Sequence, residues 1–380
     1  MQGLPYDAIQ PDPSRLMADT LRAELLDLLQ ITRVHRQDRG RSIAFVGQLL
    51  HDPGTSFDEI ERRFRPHGYT PMLRRERGED VVVAMQGIIT QARTGNPLIN
   101  VLLFVATVVT TLSAGAQLAG EATLLDHLMS PLPGRAVLDV VLAGAPFALT
   151  LLTILGVHEL GHYFAARFHR VDATLPYFIP MPLGGLGTLG AFIAVRSPMK
   201  DRTVLFDIGL AGPLAGFVVA LPLLVVGLLL SNPVPYFSAG LTLRALGSSP
   251  LVSGMVALFA DVPAGQTLHL HPVFFAAWFG LLITGVNLLP IGQLDGGHVS
   301  YALLGRRAHQ VAYGVFLLLF LAGALLSPTW FFWAFFVLLG GLRHAPPMND
   351  ITGLNRPRKV LAVCTTLLFF LLIVPAPFST

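Results

Sequence analysis

The sequence predicts a polytopic α-helical membrane protein of about six to seven transmembrane helices. A small soluble α/β region precedes them, and a glycine-rich strand or hairpin segment lies among them in association with the membrane. Three observations carry this. Hydrophobic residues make up 53% of the 380 and charged residues only 13%, where soluble domains carry about 25% charged. Of the 49 charged residues, 26 fall in residues 1–95. After Pro97 the chain divides into seven apolar runs, most near the roughly 20 residues that cross a bilayer as a helix.

The soluble region, residues 1–95, comes first. Leu16, Leu21, Leu25, Leu28 and Leu29 recur at helical spacing, so residues 12–34 are expected to form an amphipathic helix. Residues 43–50 and 81–85 read as strands. Residues 56–65 read as a short helix opened by a capping box between Ser56 and Glu59. The first apolar stretch is interrupted by Asp, Glu and Arg, so this stretch is not expected to act as a signal peptide. The run near residue 98 is expected to direct membrane insertion.

The apolar runs are 98–117, 138–160, 204–230, 272–291, 310–326, 328–341 and 360–376. The fifth and sixth are short, split by Ser327-Pro328, and compatible with a hairpin. The third contains Gly212-Pro213, tolerated in a membrane helix only where neighbours pack closely. Loop charge sets the orientation. Residues 163–203 hold five Lys/Arg against two Asp, and 343–359 hold four against one; 231–271 hold one Arg and one Asp. That bias places the N-terminal region, 163–203, 292–309 and 343–359 on the cytoplasmic side. The net charge of +3 is therefore a topology signal and not a nucleic-acid footprint. A single cysteine, Cys364, excludes an internal disulfide.

Chemistry concentrates at the end of the second run, in Gly156-Val157-His158-Glu159-Leu160-Gly161-His162. In this H-E-x-x-H pattern the histidines stand at i and i+4, on one helix face, where they can grip one metal ion. Glu159, one residue on, is placed to accept a proton from water that the metal activates. Ionisable side chains within an apolar helix are costly and usually functional. A catalytic zinc wants a third protein ligand and an open position. Asp295, in Leu294-Asp295-Gly296-Gly297-His298 after the fourth run, is the best candidate, on the same side as His162. Asp207, at the cytoplasmic entrance of the third run, is a rival. His298 is a weaker one, suited also to a supporting or substrate contact. Asn287 faces the interior of an apolar helix. It either bonds substrate backbone or an oxyanion, or makes an interhelical hydrogen bond.

Residues 178–196 are apolar but too rich in glycine for a helix. Their ends, 175–181 and 189–195, read as strands or a re-entrant hairpin. Open strand edges cannot face lipid, so the segment must be shielded or line a wet cavity. Such an edge could hold a substrate in extended form. No G-K-S/T follows these glycines, so they are not a phosphate loop.

These motifs together resemble the site-2 proteases, intramembrane zinc metalloproteases. The family's H-E-x-x-H is matched by His158, Glu159 and His162, and its L-D-G by Leu294, Asp295 and Gly296. Asn287 and Pro290 match the residues ahead of that motif. Gly187–Ile193 resembles the membrane-associated glycine-rich segment, and Gly209–Gly216 the glycine–proline helix motif. The resemblance covers roughly residues 138–305. It is nearer to the bacterial and plastid branch without a PDZ domain, whose N-terminal extension resembles Phe64–Tyr69.

The resemblance implies one Zn2+ per chain on His158, His162 and Asp295, with Glu159 as catalytic base. It makes 98–305 a metalloprotease core and 306–380 additional C-terminal helices. The implied substrate spans the membrane, as an anti-sigma factor or a membrane-tethered transcriptional regulator does. The implied setting is a multi-pass protein of a bacterial inner membrane with its N-terminus cytoplasmic, touching lipid but no nucleic acid. A non-proteolytic metal-binding scaffold or chaperone is the alternative, against which the intact Glu159 speaks. A transporter would show paired broken helices with internal symmetry, which the sequence lacks.

Overall fold

The computed structural model describes residues 13–37, 41–88, 96–121, 135–182, 185–238 and 240–374. Two compact units emerge. One comprises residues 1–91 with 198–202 and 346–353, and the other takes the rest.

In the first unit, α1 (Pro13–Ala23) leads to β1 (Leu29–Gln37), β2 (Ser42–Leu49), α2 (Pro53–Phe64), β3 (Tyr69–Glu76) and β4 (Glu79–Gln86). The strands form one antiparallel sheet in the order β1-β2-β4-β3. Leu21, Leu25, Phe45, Phe57, Ile60 and Phe64 are wholly buried between sheet and helices. The expected helix over 12–34 is corrected: it stops at Ala23, and residues 29–37 are strand. Ile31, Thr32 and Val34 are β-branched and suit the pleat, and pairing with β2 outweighs the leucine periodicity. The expected capping box is also corrected. Asp52 caps α2, accepting from the backbone N–H of Gly54 (2.9 Å) and Thr55 (3.2 Å), with Pro53 next. Ser56 is buried inside the helix, and Glu59 accepts from Arg62 (2.9 Å) and Arg63 (2.7 Å) instead.

The sheet continues beyond β3. Leu73 N–H donates to Met348 O (2.7 Å) and Asp350 N–H to Leu73 O (2.9 Å). Met348 and Asn349 in turn donate to Met199 O (2.9 Å) and Lys200 O (2.8 Å). The side chain of Arg202 closes the edge on Asp350 at 3.0 Å.

The second unit holds α3 (Pro97–Leu118), α4 (Arg135–Phe168), β5 (Tyr177–Pro180), β6 (Thr188–Phe192) and α5 (Arg202–Leu229). Then come β7 (Asn232–Pro235), α6 (Pro250–Phe259), β8 (Gln266–His269), α7 (Pro272–Asn287) and α8 (Asp295–Leu304). Last are α9 (Ala308–Leu325), α10 (Thr329–Gly340) and α11 (Arg356–Leu372). Among the described residues four stretches are long and apolar enough to cross a membrane: 97–118, 137–168, 202–229 and 295–325. The other apolar runs form shorter helices. The expected 272–291 run is helical for only 16 residues, because the chain turns at Leu288 toward Pro290. The protein is thus a multi-pass integral membrane protein with a β-sheet region at its N-terminal end.

The core of this unit joins Phe147, Leu151 and Ile154 of α4 to Phe274, Trp278 and Leu281 of α7. α3 and α4 touch backbone to backbone: a Cβ on Gly144 would stand 2.0 Å from Leu112 O, as small residues permit between membrane helices. β5 and β6 pair antiparallel, Phe178 opposite Ala191, with an irregularity before Pro180. Their backbone is served by α3. Asn100 Nδ2 donates to Leu175 O (2.8 Å) and Pro176 O (3.0 Å), and Thr110 Oγ1 to Gly187 O (2.6 Å). Carbonyls with no water at hand need such donors.

Candidate metal centre

α4 carries His158, Glu159 and His162 on consecutive turns near its C-terminal end, all three buried. His162 Nδ1–H donates to the Ile208 carbonyl on α5 at 2.7 Å. That bond fixes the ring and leaves Nε2 with its lone pair turned inward. Asp295 arrives from the other side as the first residue of α8. The turn that delivers it is tight: a Cβ on Gly296 would meet Leu288 O at 2.0 Å.

The three residues meet. His158 Nε2 lies 3.2 Å from Asp295 Oδ2, His162 Nε2 lies 3.2 Å from Asp295 Oδ1, and the two Nε2 atoms are 3.2 Å apart. Among the described residues this is the one group of three or more metal-type side chains that converges. The spacing can be tested against zinc. Ligands about 2.0–2.1 Å from a tetrahedral ion stand roughly 3.3 Å from one another, and these do. Two ring lone pairs and a carboxylate facing one another in a buried place repel unless a cation lies between them. The donor set is therefore one that a zinc ion fits.

α5 makes the floor. A Cβ on Gly212 would fall 2.1 Å from His162 Nε2, and one on Gly209 2.5 Å from His298 Cβ. The glycine–proline segment read from the sequence is thus the surface on which the histidines rest.

The other expected residues separate. Asp207 is outside the cluster: it accepts two bonds from Arg358 at 2.7 Å each and one from His169 Nε2 at 2.9 Å. His298 points its Nδ1 at His344 Nε2, 3.1 Å away. Asn287 is the last residue of α7. Its amide makes no hydrogen bond among the described residues, and it lines two cavities. The smaller, about 220 Å³, is lined also by His158, Glu159, His162, Asp295 and His298. The larger, about 760 Å³, shares His158 and Glu159 and runs between Leu189 and Gly190 of β6 and the aromatic side chains of α10, Phe332 and Phe336. Glu159 thus stands where an apolar chamber meets the three donors.

Sequence reasoning passed over Asn100, Thr110 and His344. The signal was present for Asn100, a costly amide inside an otherwise apolar run. None existed for His344, whose partner is 46 residues away.

Residues 146–323 match the sequence profile described as Peptidase family M50. The chain is 32% identical over 249 residues to the probable zinc metalloprotease EGY2, chloroplastic, of Arabidopsis thaliana, covering 64% of this chain and 44% of that one. It is 34% identical over 246 residues to EGY1, chloroplastic, of the same plant, covering 61% and 43%. A rice protein named EGY3, a probable chloroplastic zinc metalloprotease, is 28% identical over 262 residues, covering 63% and 44%. The chain spans less than half the length of these relatives. No solved structure matches.

Proposed function

We infer that this chain, whose residues 146–323 match the Peptidase family M50 profile, is a zinc-dependent intramembrane endopeptidase that hydrolyses peptide bonds of membrane-spanning proteins. One observation carries the reading: His158, His162 and Asp295 converge at 3.2 Å beside a second carboxylate, Glu159, that stands outside that cluster at the end of a chamber of about 760 Å³. His158, His162 and Asp295 would hold the ion. Zinc bound there supplies Lewis acidity and makes water nucleophilic at neutral pH.

The chain's own residues do the rest. Glu159 accepts the proton of the attacking water and returns it to the departing amine nitrogen. A helical substrate hides its peptide bonds, so it must unwind before cleavage. β6, paired on one side by β5, offers its other edge to the unwound segment by strand addition. Asn287 donates to substrate backbone from the end of α7. The apolar wall opposite β6 receives the substrate's side chains.

The substrate belongs to the membrane-tethered regulators, anti-sigma factors among them, and cutting frees a cytoplasmic fragment. The bias of loop charge favours the N-terminal unit on the cytoplasmic side, a setting that a bacterial plasma membrane fits.

Metal content decides the core of this. Detergent-purified chain should carry one zinc, lost in Asp295→Ala and kept in Asp207→Ala. Zinc lost from the Asp207 variant alone would move the third ligand to α5. No zinc in freshly prepared wild type would leave a membrane scaffold as the better account.

A further inference from the structure

The extended chain that leaves β6 shows which way its backbone groups face. Ala194 O accepts from Thr174 N–H at 3.1 Å, Ala194 N–H donates to Thr174 Oγ1 at 3.0 Å, and Arg196 N–H donates to Asp172 O at 2.8 Å. Ala194 and Arg196 thus turn their backbone toward residues 172–174, and Val195 bridges to Ala173 between them. Backbone direction alternates along an extended strand, so Ile193 turns its own groups to the opposite edge. There its N–H donates to the Glu159 carboxylate. Ile193 and Glu159 line the cavity of about 220 Å³ together with His158, His162 and Asp295.

The hairpin that carries Ile193 hangs on α3. Asn100 spends both amide hydrogens on it, donating to Leu175 O (2.8 Å) and Pro176 O (3.0 Å) just ahead of β5. Thr110 Oγ1 has three carbonyls within reach. Ala106 O and Thr107 O of its own helix stand at 3.1 Å, and Gly187 O of the hairpin is the shortest at 2.6 Å. Gly187 rests on the α3 backbone, where a Cβ would fall 2.4 Å from Thr110 O, and its φ of 76° suits glycine. Between these points Phe104 of α3 meets Phe178 of β5 edge to face, with centroids 5.0 Å apart. Held at its base and at its turn, the hairpin keeps Ile193 beside Glu159.

We propose that the Ile193 backbone N–H aims the Glu159 carboxylate at the attacking water, and that Asn100 and Thr110 are positioning residues acting through the hairpin. The proposal rests on the proteolytic reading above. A carboxylate has about four lone-pair sites, so one N–H can hold it and leave another site for the proton. No bond to Ile193 forms or breaks; its work is to fix the base in a productive geometry. The arrangement also sets base against substrate. Ala191, two residues earlier, turns its backbone to the same edge as Ile193, so an unwound segment that pairs there runs on past Glu159. One strand then holds both reacting partners.

The test uses full-length chain in lipid nanodiscs. The probe is a dye–quencher peptide with one apolar stretch of about 20 residues broken at its centre by Gly-Ser. Zinc per chain, kcat and KM are measured for wild type, Asn100→Ala, Thr110→Val, Thr110→Ser and a chain whose residue 193 is the α-hydroxy acid of isoleucine. That last change turns one amide into an ester, removing the N–H and keeping every side chain. The ester chain should keep its zinc and lose about 10- to 100-fold in kcat, with KM little changed. Thr110→Val and Asn100→Ala should lower kcat in the same sense but less, since each leaves the other anchor in place. Thr110→Ser, which keeps the hydroxyl, should restore it. A raised KM at wild-type kcat in the ester chain would overturn the proposal, because the N–H would then serve the substrate and not the base. Loss of zinc from the ester chain would overturn it too, making the N–H a support of the metal site. Equal kcat in Thr110→Val and Thr110→Ser would remove Thr110 from the account. Wild type that binds zinc and leaves the probe uncut would sink the proteolytic reading and this role with it. Cleavage by wild type and the ester chain alike would sink this role alone.

Discussion

Glu159 is the carboxylate that the three-donor cluster leaves over. It is as buried as the histidines and, like His158, lines both cavities, but its carboxylate is not one of the three groups that converge. Glu159→Gln keeps shape and hydrogen-bonding reach and removes only the base. It should retain one zinc per chain and lose about 10²–10⁴-fold in cleavage rate; cleavage near wild type would rule the base out. Residue spacing gave away His158, Glu159 and His162, because i and i+4 on a helix is local information. The choice between Asp207 and Asp295 was not local. It turns on Arg358, 151 residues from Asp207, which takes that carboxylate with two bonds. Asp207→Ala should therefore leave zinc in place. It should destabilise the purified protein by about 1–3 kcal/mol, through loss of the two bonds from Arg358 and the one from His169, visible as a lower unfolding midpoint in detergent. Zinc loss with an unchanged midpoint would contradict this assignment.

At the scale of elements, α5 is the one whose sequence says most about the site. Gly209, Gly212 and Gly216 follow the i, i+3, i+7 spacing of a single face, and that face lies on His298, His162 and His158. Gly212→Ala would drive a methyl group into His162 Nε2, at 2.1 Å. It should abolish zinc retention although the helix itself gains from alanine. Gly314→Ala on α9 is the control, since a Cβ there meets nothing within 4 Å, and it should keep both zinc and activity. Equal behaviour of the two variants would show that the glycines serve helix flexibility instead of the site. Long apolar elements were legible: α3 and α5 follow the apolar runs closely, while α4 runs on past residue 160 to Phe168 through its polar histidine-bearing turns. α1 and β1 were not, because leucines at helical spacing run past Ala23 into a segment whose β-branched residues pair with β2. The cap of α2 was misplaced by four residues, because a nearby S-x-x-E pattern is cheap to find and Asp52-Pro53 makes the better start. β3 went unread, its apolar Tyr69, Pro71 and Leu73 alternating with charges too sparsely to stand out.

For the molecule as a whole, what composition could not reveal is that the N-terminal sheet is not built from the N-terminal region alone. Residues 198–202 and 346–353 lie in loops whose positive charge reads only as topology, yet both belong to the first compact unit. Their backbone extends the sheet past β3, and each runs straight on in sequence toward a helix of the second unit, α5 from Arg202 and α11 from Arg356. Strand pairing over such separations leaves no periodic trace, since three residues of added strand are too short for alternation to show. Asn349 is the residue on which this depends most. It is buried, its Oδ1 accepts from Ile351 N–H (3.1 Å) and Thr352 N–H (3.2 Å), and its Nδ2 donates to Pro53 O (3.2 Å) and Thr352 Oγ1 (2.8 Å). Asn349→Ala strips four hydrogen bonds and leaves buried backbone groups unmatched, a cost of about 1–3 kcal/mol or more. Opening of the sheet edge is local unfolding, which hydrogen exchange reads directly. The Leu73 amide, which donates to Met348 O, should exchange about tenfold to a hundredfold faster in the variant, while Val82, central in the sheet and paired on both sides, should change less. Because His158, His162 and Asp295 lie on α4 and α8, zinc content should not move. Unchanged exchange at Leu73 would show that residues 346–353 rest beside the sheet without being part of it. Exchange raised equally at Leu73 and Val82 would instead make Asn349 a support of the whole sheet, and the added strand an inseparable part of how that unit folds.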